Sequence, residues 1–282
     1  MRRQIIEEKI FKALMIASLA TVFLALLAII AIIVARGAKA MSIDMIIKTP
    51  EGGYYLGKGG GVANAIVGSL MLTGGASIIS LALALPIAFA LQREYIPRRI
   101  ARVTRLALDV LWGTPSIVYG AFGFVIMVYL GIGASLLGGI IALSLLMLPI
   151  MTRAMEEIIR MVPMQLKEIS YSLGTTRLET TFSVVLRQAL PGVCTAAMLA
   201  FGRGIGDAAS ILFTAGYTDY IPHSLLDPAA SLPLAVFFQI ATPLPAVQDR
   251  AYASALILLL VVLLVNLVAR LLSARFSRNI IK

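Results

Sequence analysis

The chain has 282 residues, 60% of them hydrophobic and 13% charged, with a formal net charge of +10. A soluble domain carries roughly twice that charged fraction, so a water-soluble globule is excluded. The one cysteine, Cys194, excludes an internal disulfide and a cysteine metal site. Nucleic-acid binding is set aside because no basic patch stands clear of a membrane boundary.

Six predominantly apolar runs are long enough to cross a bilayer, which takes about 20 apolar residues. They are Ala13 to Ala35, a run within Val62 to Gln92, one starting near Leu106, Ala134 to Thr152, Pro191 to Ala215, and Ala251 to Ala269. Each must satisfy its own backbone groups in lipid, so each is expected to be a helix. With the N-terminus placed in the cytoplasm, 18 lysines and arginines fall inside and five (Arg36, Lys39, Lys48, Lys58, Arg250) outside, while Arg203 lies within a span. That bias puts both termini inside. Residues 1–12 form a cytoplasmic lead-in, and 13–282 form one transmembrane domain with an inside loop at 153–190 and an outside loop at 216–250. Ala38-Lys39-Ala40 resembles a signal-peptidase site, but the apolar run before it exceeds the roughly 7–15 residues of a signal core. The first span is therefore expected to be retained.

The outside loop at 36–61 is rich in glycine. Gly57-Lys58-Gly59-Gly60-Gly61 lacks the serine or threonine after the lysine that a phosphate loop needs, and reads as a flexible loop or tight turn. In the second span, Gly74, Gly75, Ser77 and Ser80 allow close helix approach, and Pro86 predicts a kink. Five arginines at 92–105 serve as orientation signals. Asp109 is placed to pair with Arg105, four residues earlier. Thr114-Pro115-Ser116 interrupts the third span, either to line a cavity or as a packing kink.

In the loop at 153–190, Pro163 suits a helix start, and Met164 to Leu173 reads as a short amphipathic helix with Lys167 and Glu168 on its polar side. Gly174 can end it in the left-handed conformation, and Thr175 or Thr176 can cap the next helix, with Glu179 placed three residues after Thr176 for a capping box. The pattern predicts two short helices meeting at a glycine elbow, either docked in a partner's groove or lying on headgroups. In the fifth span, Arg203 and Asp207 are four residues apart and can pair. A guanidinium is costly in lipid and suits phosphate recognition; alternatively the pair simply locks helices together. Gly202, Gly204 and Gly206 remove bulk nearby, and no strand precedes them to make a nucleotide fingerprint. Outside lie Asp219, His223, Asp227 and Asp249, with the acidic residues expected to be solvated. Ser231 to Val247, broken by Pro233, Pro243 and Pro245, reads as a shallow or re-entrant segment.

Glu168, Ser170, Gly174 and the closing Leu190-Pro191 resemble the EAA loop of ABC importer permeases; the family's Leu-Pro pair near Leu186 is replaced here by Leu186-Arg187. Gly113-Thr114-Pro115-Ser116-Ile117-Val118-Tyr119-Gly120 resembles a stretch of phosphate-specific permeases of the PstA type. That family's R-x-x-G-E-T-A-P followed by T-A-G is matched by Arg203, Gly206, Asp207, Ala208, Ala209 and Thr214-Ala215-Gly216, with aspartate for glutamate and alanine for threonine. Ser231-Leu232-Pro233-Leu234 and the start of the sixth span add to the likeness. The resemblance implies an all-α type I ABC importer permease fold with six transmembrane helices, in the cytoplasmic membrane. It implies a substrate pathway at Arg203, Asp207, Thr114 and Ser116, and ATPase coupling through Lys167, Glu168, Ser170 and Gly174. It also implies a second related permease, an ATPase subunit dimer carrying ATP and magnesium, an external phosphate-binding protein, and no cofactor on this chain. No ATP-binding motif occurs here, which fits energy arriving from a partner. Another oxyanion (sulfate, molybdate or a phosphonate) fits the EAA loop equally. A membrane enzyme acting on lipid phosphates would need a nucleophile or metal cluster that one histidine and one cysteine do not supply.

Overall fold

The computed structural model describes residues 2–52 and 59–276, with side chains from Gln4 to Leu271 outside that gap. Gly53, Gly57, Lys58, Arg278 and Lys282 lie outside the described residues, and the side chains of Arg2, Arg3 and Arg275 outside the described side chains. Among the described residues the helices are α1 (Arg2–Ala40), α2 (Ile43–Ile47), α3 (Ala63–Ala90), α4 (Arg98–Gly113), α5 (Ser116–Tyr129), α6 (Leu136–Arg160), α7 (Met164–Ser172), α8 (Arg177–Thr180), α9 (Leu186–Ile205), α10 (Leu232–Ile240) and α11 (Pro245–Phe276). Five are long and apolar enough to cross a membrane, or six if the bent pair α4–α5 counts as one span.

Burial follows the logic of a bilayer protein. Large apolar side chains along α1, α5 and α11 are exposed, while α3, α6 and α9 share a core built on Leu72, Met147, Met151, Val193 and Ala196. Small residues let α3 and α6 meet: a Cβ on Gly75 would stand 2.7 Å from Ile140 Cδ1, and Ser80 Oγ donates to Ser144 O at 2.9 Å. Close backbone approach of this kind drives helix association where lipid removes the hydrophobic incentive. α3 continues through Pro86. Gly60, at φ 111°, lets the first loop turn back and bridge to Pro50, as a tight turn requires.

Three expectations are corrected. The third span does not start near Leu106: its first helix, α4, begins at Arg98 and meets α5 at Thr114-Pro115, where the interruption is expected, with a 97° bend. Thr114 is extended at ψ 128°, because the following proline disfavours the α conformation. α5 alone has 14 residues and reaches only about 21 Å. The fifth span does not run from Pro191 to Ala215. Helix is continuous from Arg177 to Ile205, with a π-type turn at Thr181–Val185 and Pro191 inside it, and residues 206–216 are irregular. Asp109 does not pair with Arg105 but with Arg153, at 2.6 Å.

At the end of α6 opposite Arg153 and Arg160, residues 214–227 cap the helix. Ser135 N donates to Thr214 O at 2.8 Å and Leu136 N to Asp227 O at 2.7 Å. Asp227 Oδ2 accepts the backbone N–H groups of His223 (3.0 Å) and Ser224 (2.9 Å), so this carboxylate closes a turn and is not simply solvated. α10, with nine residues, spans about 14 Å, too short to cross a bilayer.

Candidate functional site

Two arrangements carry chemistry, and one continuous helix joins them. The first is the elbow between α7 and α8. Pro163 sits just ahead of α7, and Gly174 follows it at φ 84° with nothing within 4 Å of where a Cβ would stand. Glycine is needed there for the backbone, not for space. Thr176 and Glu179 form the capping box, each reaching the other's backbone N–H. Between the two helices Ser170, Thr175 and Thr180 form a triangle of hydroxyls at 2.7, 2.9 and 3.0 Å. Ser170 thus fixes the inside of the bend. α8 opens the long helix to Ile205, so the elbow joins one short helix to one long one instead of two short ones.

Lys167 is corrected as well: it is buried, and its Nζ lies 2.8 Å from Glu94 Oε1 in the turn between α3 and α4. Glu94 gathers the elbow. Its other carboxylate oxygen accepts from Tyr171 OH at 3.1 Å and its carbonyl from Arg177 Nη1 at 2.7 Å. Burial, and then the Glu94 carboxylate, push the Tyr171 phenol above its ordinary range, so it remains a donor. Tyr95 OH donates to Arg177 O at 2.9 Å and also meets Thr181. Glu168 is exposed, as are Met164, Ile169, Leu173 and Leu178 around the bend. An acid among protruding apolar side chains suits docking to another protein.

The second arrangement closes the far end of α9. Arg203 Nη1 donates to Asp207 Oδ1 at 3.1 Å, and the arginine side chain is 50% exposed while the aspartate is 4% exposed. Asp207 Oδ2 accepts from Ser210 N at 2.9 Å and Ser210 Oγ at 2.6 Å. The carboxylate is thereby satisfied and fixed, and it turns the chain out of the helix. One N–H of Arg203 is engaged, and the rest of its fork faces the open side. Gly202 has nothing within 4 Å of a Cβ position and Gly206 only a carbonyl at 3.9 Å; Gly204 instead faces Met147 in the core. Gly120 of α5 lies against the carbonyls of Ala209 and Ser210, each 2.8 Å from its Cβ position. Ser116, one turn earlier, shares that face of α5, and Thr114 Oγ1 donates back to Val110 O at 2.8 Å within the last turn of α4. Among the described residues no hydrogen bond joins Thr114 or Ser116 to Arg203.

A third cluster escaped sequence reasoning. The Glu156 side chain, 0% exposed, accepts from Arg105 (2.7 Å), Arg160 (2.8 Å) and Arg153 (3.2 Å). Its sequence signal was Arg153-x-x-Glu156-x-x-x-Arg160 at helical spacing. Glu94 offered a fainter one, an acid amid a basic turn.

Residues 81–282 match the family model described as "Binding-protein-dependent transport system inner membrane component". The chain is 34% identical over 265 residues to the phosphate transport system permease protein PstA of Yersinia pestis, covering 93% of this chain and 89% of that one. It is 38% identical over 212 residues to PstA 1 of Mycobacterium tuberculosis (strain CDC 1551 / Oshkosh), covering 74% and 69%. The fold is similar to that of the MetNI methionine ABC transporter in an inward-facing form, with TM-score 0.64 at 17% identity, covering 84% of this chain and 99% of that one.

Proposed function

The chain belongs to the PstA-type family of binding-protein-dependent inner membrane transport components, and from that membership we propose that it is the permease subunit through which an ATP-driven importer moves inorganic phosphate. The observation that carries the reading is the Arg203 fork. It is held by a buried, fully hydrogen-bonded Asp207 and exposed at the end of the helix that starts at the elbow. Arginine binds phosphate oxygens through its planar array of donors. The paired aspartate tempers that attraction, so a phosphate dianion is held briefly and released, as a conduit requires.

The basic end of the molecule, with the elbow, faces the cytoplasm, and both termini lie there. The elbow docks on an ATPase subunit dimer that carries ATP and magnesium, with Glu168 and the apolar side chains around it at the contact. This chain hydrolyses nothing. The open face of α9, including Arg203, turns toward a second permease, and the two line the pathway with Thr114 and Ser116 at the α4–α5 bend. An external binding protein delivers phosphate at the opposite mouth. ATP binding moves the elbow, α8–α9 moves with it, and access to Arg203 switches sides.

Phosphate uptake into vesicles holding the assembled transporter tests this. Arg203→Ala abolishes uptake with assembly intact, and Arg203→Lys, which loses the fork, restores little of it. Gly174→Pro loses transport-coupled ATP hydrolysis. Normal uptake by Arg203→Ala removes this residue from the pathway. Competition by sulfate or molybdate as strong as by phosphate reassigns the cargo to another oxyanion.

A further inference from the structure

A cavity of about 1180 Å³ opens beside the elbow, between the α3–α4 turn, α4, the end of α6 and α7. Its cations fall into two sets. Arg105, Arg153 and Arg160 are tied to Glu156, and Asp109 and Glu157 take the second bonds of Arg153 and Arg160. Lys167 is tied to Glu94. Arg93, Arg98 and Arg102 also line the cavity, are exposed, and make no hydrogen bond or ion pair among the described residues. The inner cations are thus neutralised by their own carboxylates, and the outer three are left as a surplus.

The helix carrying two of those three says where the cavity lies. α4 has three faces. Ala101 and Leu108 are buried; Arg98, Arg102 and Arg105 line the cavity, together with Ala101 and Leu106; Ile100, Val103 and Val110 are exposed, apolar and outside that lining. A helix with an apolar stripe beside an arginine stripe lies in the membrane surface, its apolar side in the acyl boundary and its cations among headgroups. Basic pockets between spans at that depth bind phosphate-bearing headgroups. We infer that this basin binds the headgroup phosphate of an anionic phospholipid, with Arg93, Arg98 and Arg102 as its ligands. The leaflet, but not the site, rests on the topology proposed above. A lipid at this position braces the α3–α4 turn, whose Glu94 holds the elbow, so its occupancy bears on coupling. Free inorganic phosphate shares the chemistry, but it has no use for the apolar stripe.

The test uses the transporter purified through its ATPase and placed in phosphatidylcholine nanodiscs doped with spin-labelled phosphatidylglycerol. The wild type holds a motionally restricted fraction larger than that with labelled phosphatidylcholine. Arg98→Gln with Arg102→Gln lowers the relative affinity for the anionic lipid on the order of tenfold. Neither residue bonds within the chain, so the yield of ATPase-bound complex is unchanged. The charge-matched control, Arg99→Gln with Lys9→Gln, retains the preference. Equal retention by wild type and the Arg98/Arg102 variant overturns the proposal, as does an equal loss in the control. Displacement of the label by excess inorganic phosphate at fixed ionic strength assigns the basin to the free anion instead.

Discussion

Replacing Glu156 with glutamine keeps its shape and removes the charge on which three arginines converge. Each hydrogen bond to a charged group contributes about 1.5–3 kcal/mol when intact. Two discounts apply. The arginine side chains are between 25% and 52% exposed, so water screens part of each interaction. Each also keeps another acceptor: Leu91 O for Arg105, Asp109 for Arg153 and Glu157 for Arg160. Against this, the new amide turns N–H donors toward guanidinium groups in a site with 0% exposure. The net cost is about 2–3 kcal/mol, well under the sum of three bonds. For a domain of this size each kcal/mol shifts the melting temperature by about 2–4 °C, so Glu156→Gln is expected to melt about 5–10 °C below wild type. Scanning fluorimetry of the purified complex in detergent measures it. Adding Arg160→Gln to the variant should cost less than the two changes summed. A melting temperature within about 1 °C of wild type would refute the view of Glu156 as the hub of this end.

At the elbow, Gly174→Ala meets no neighbour and pays only for positive φ, about 1–2 kcal/mol, while Gly174→Asn costs less; coupled ATP hydrolysis should fall in the order Asn, Ala, Pro. Ser210→Ala removes one of two bonds to Asp207 Oδ2 and loosens Arg203, so uptake should show a raised KM with assembly unchanged. Glu94→Gln releases Lys167 and should uncouple ATP hydrolysis from uptake, while Glu168→Gln, at an exposed position, should weaken ATPase docking and leave the melting temperature unaltered. Thr176→Ala removes the helix cap and should cost about 1 kcal/mol, read as a small fall in melting temperature.

The spans were legible because lipid permits few solutions to the backbone's hydrogen bonds, and a run such as Ala13 to Ala35 has only one. The Thr176–Glu179 box and the Arg203–Asp207 pair were legible because both are local, at three- and four-residue spacing. Pro191 misled as a helix start: a proline costs one bond and a clash with the preceding turn, which a packed membrane helix tolerates. Lys167 misled because its partner, Glu94, is 73 residues away, and helical spacing says nothing about such a pair. The end of α9 at Ile205 was hidden because Asp207 breaks the helix by capturing Ser210, a competition between side chain and backbone that apolar run length does not report.

From Arg177 to Ile205 the backbone holds one unbroken rod of 29 residues, about 44 Å long. It has two soft spots, the wider π-type turn at Thr181–Val185 and the backbone bond missing at Pro191. On the proposed mechanism, a tilt imposed at the Thr176 cap would travel to position 203 by leverage along the helix, less whatever those two points absorb, instead of being relayed from contact to contact. Insertion of a single residue anywhere between the two ends would rotate the arginine about 100° around the axis, leaving the same stroke aimed at the wrong wall.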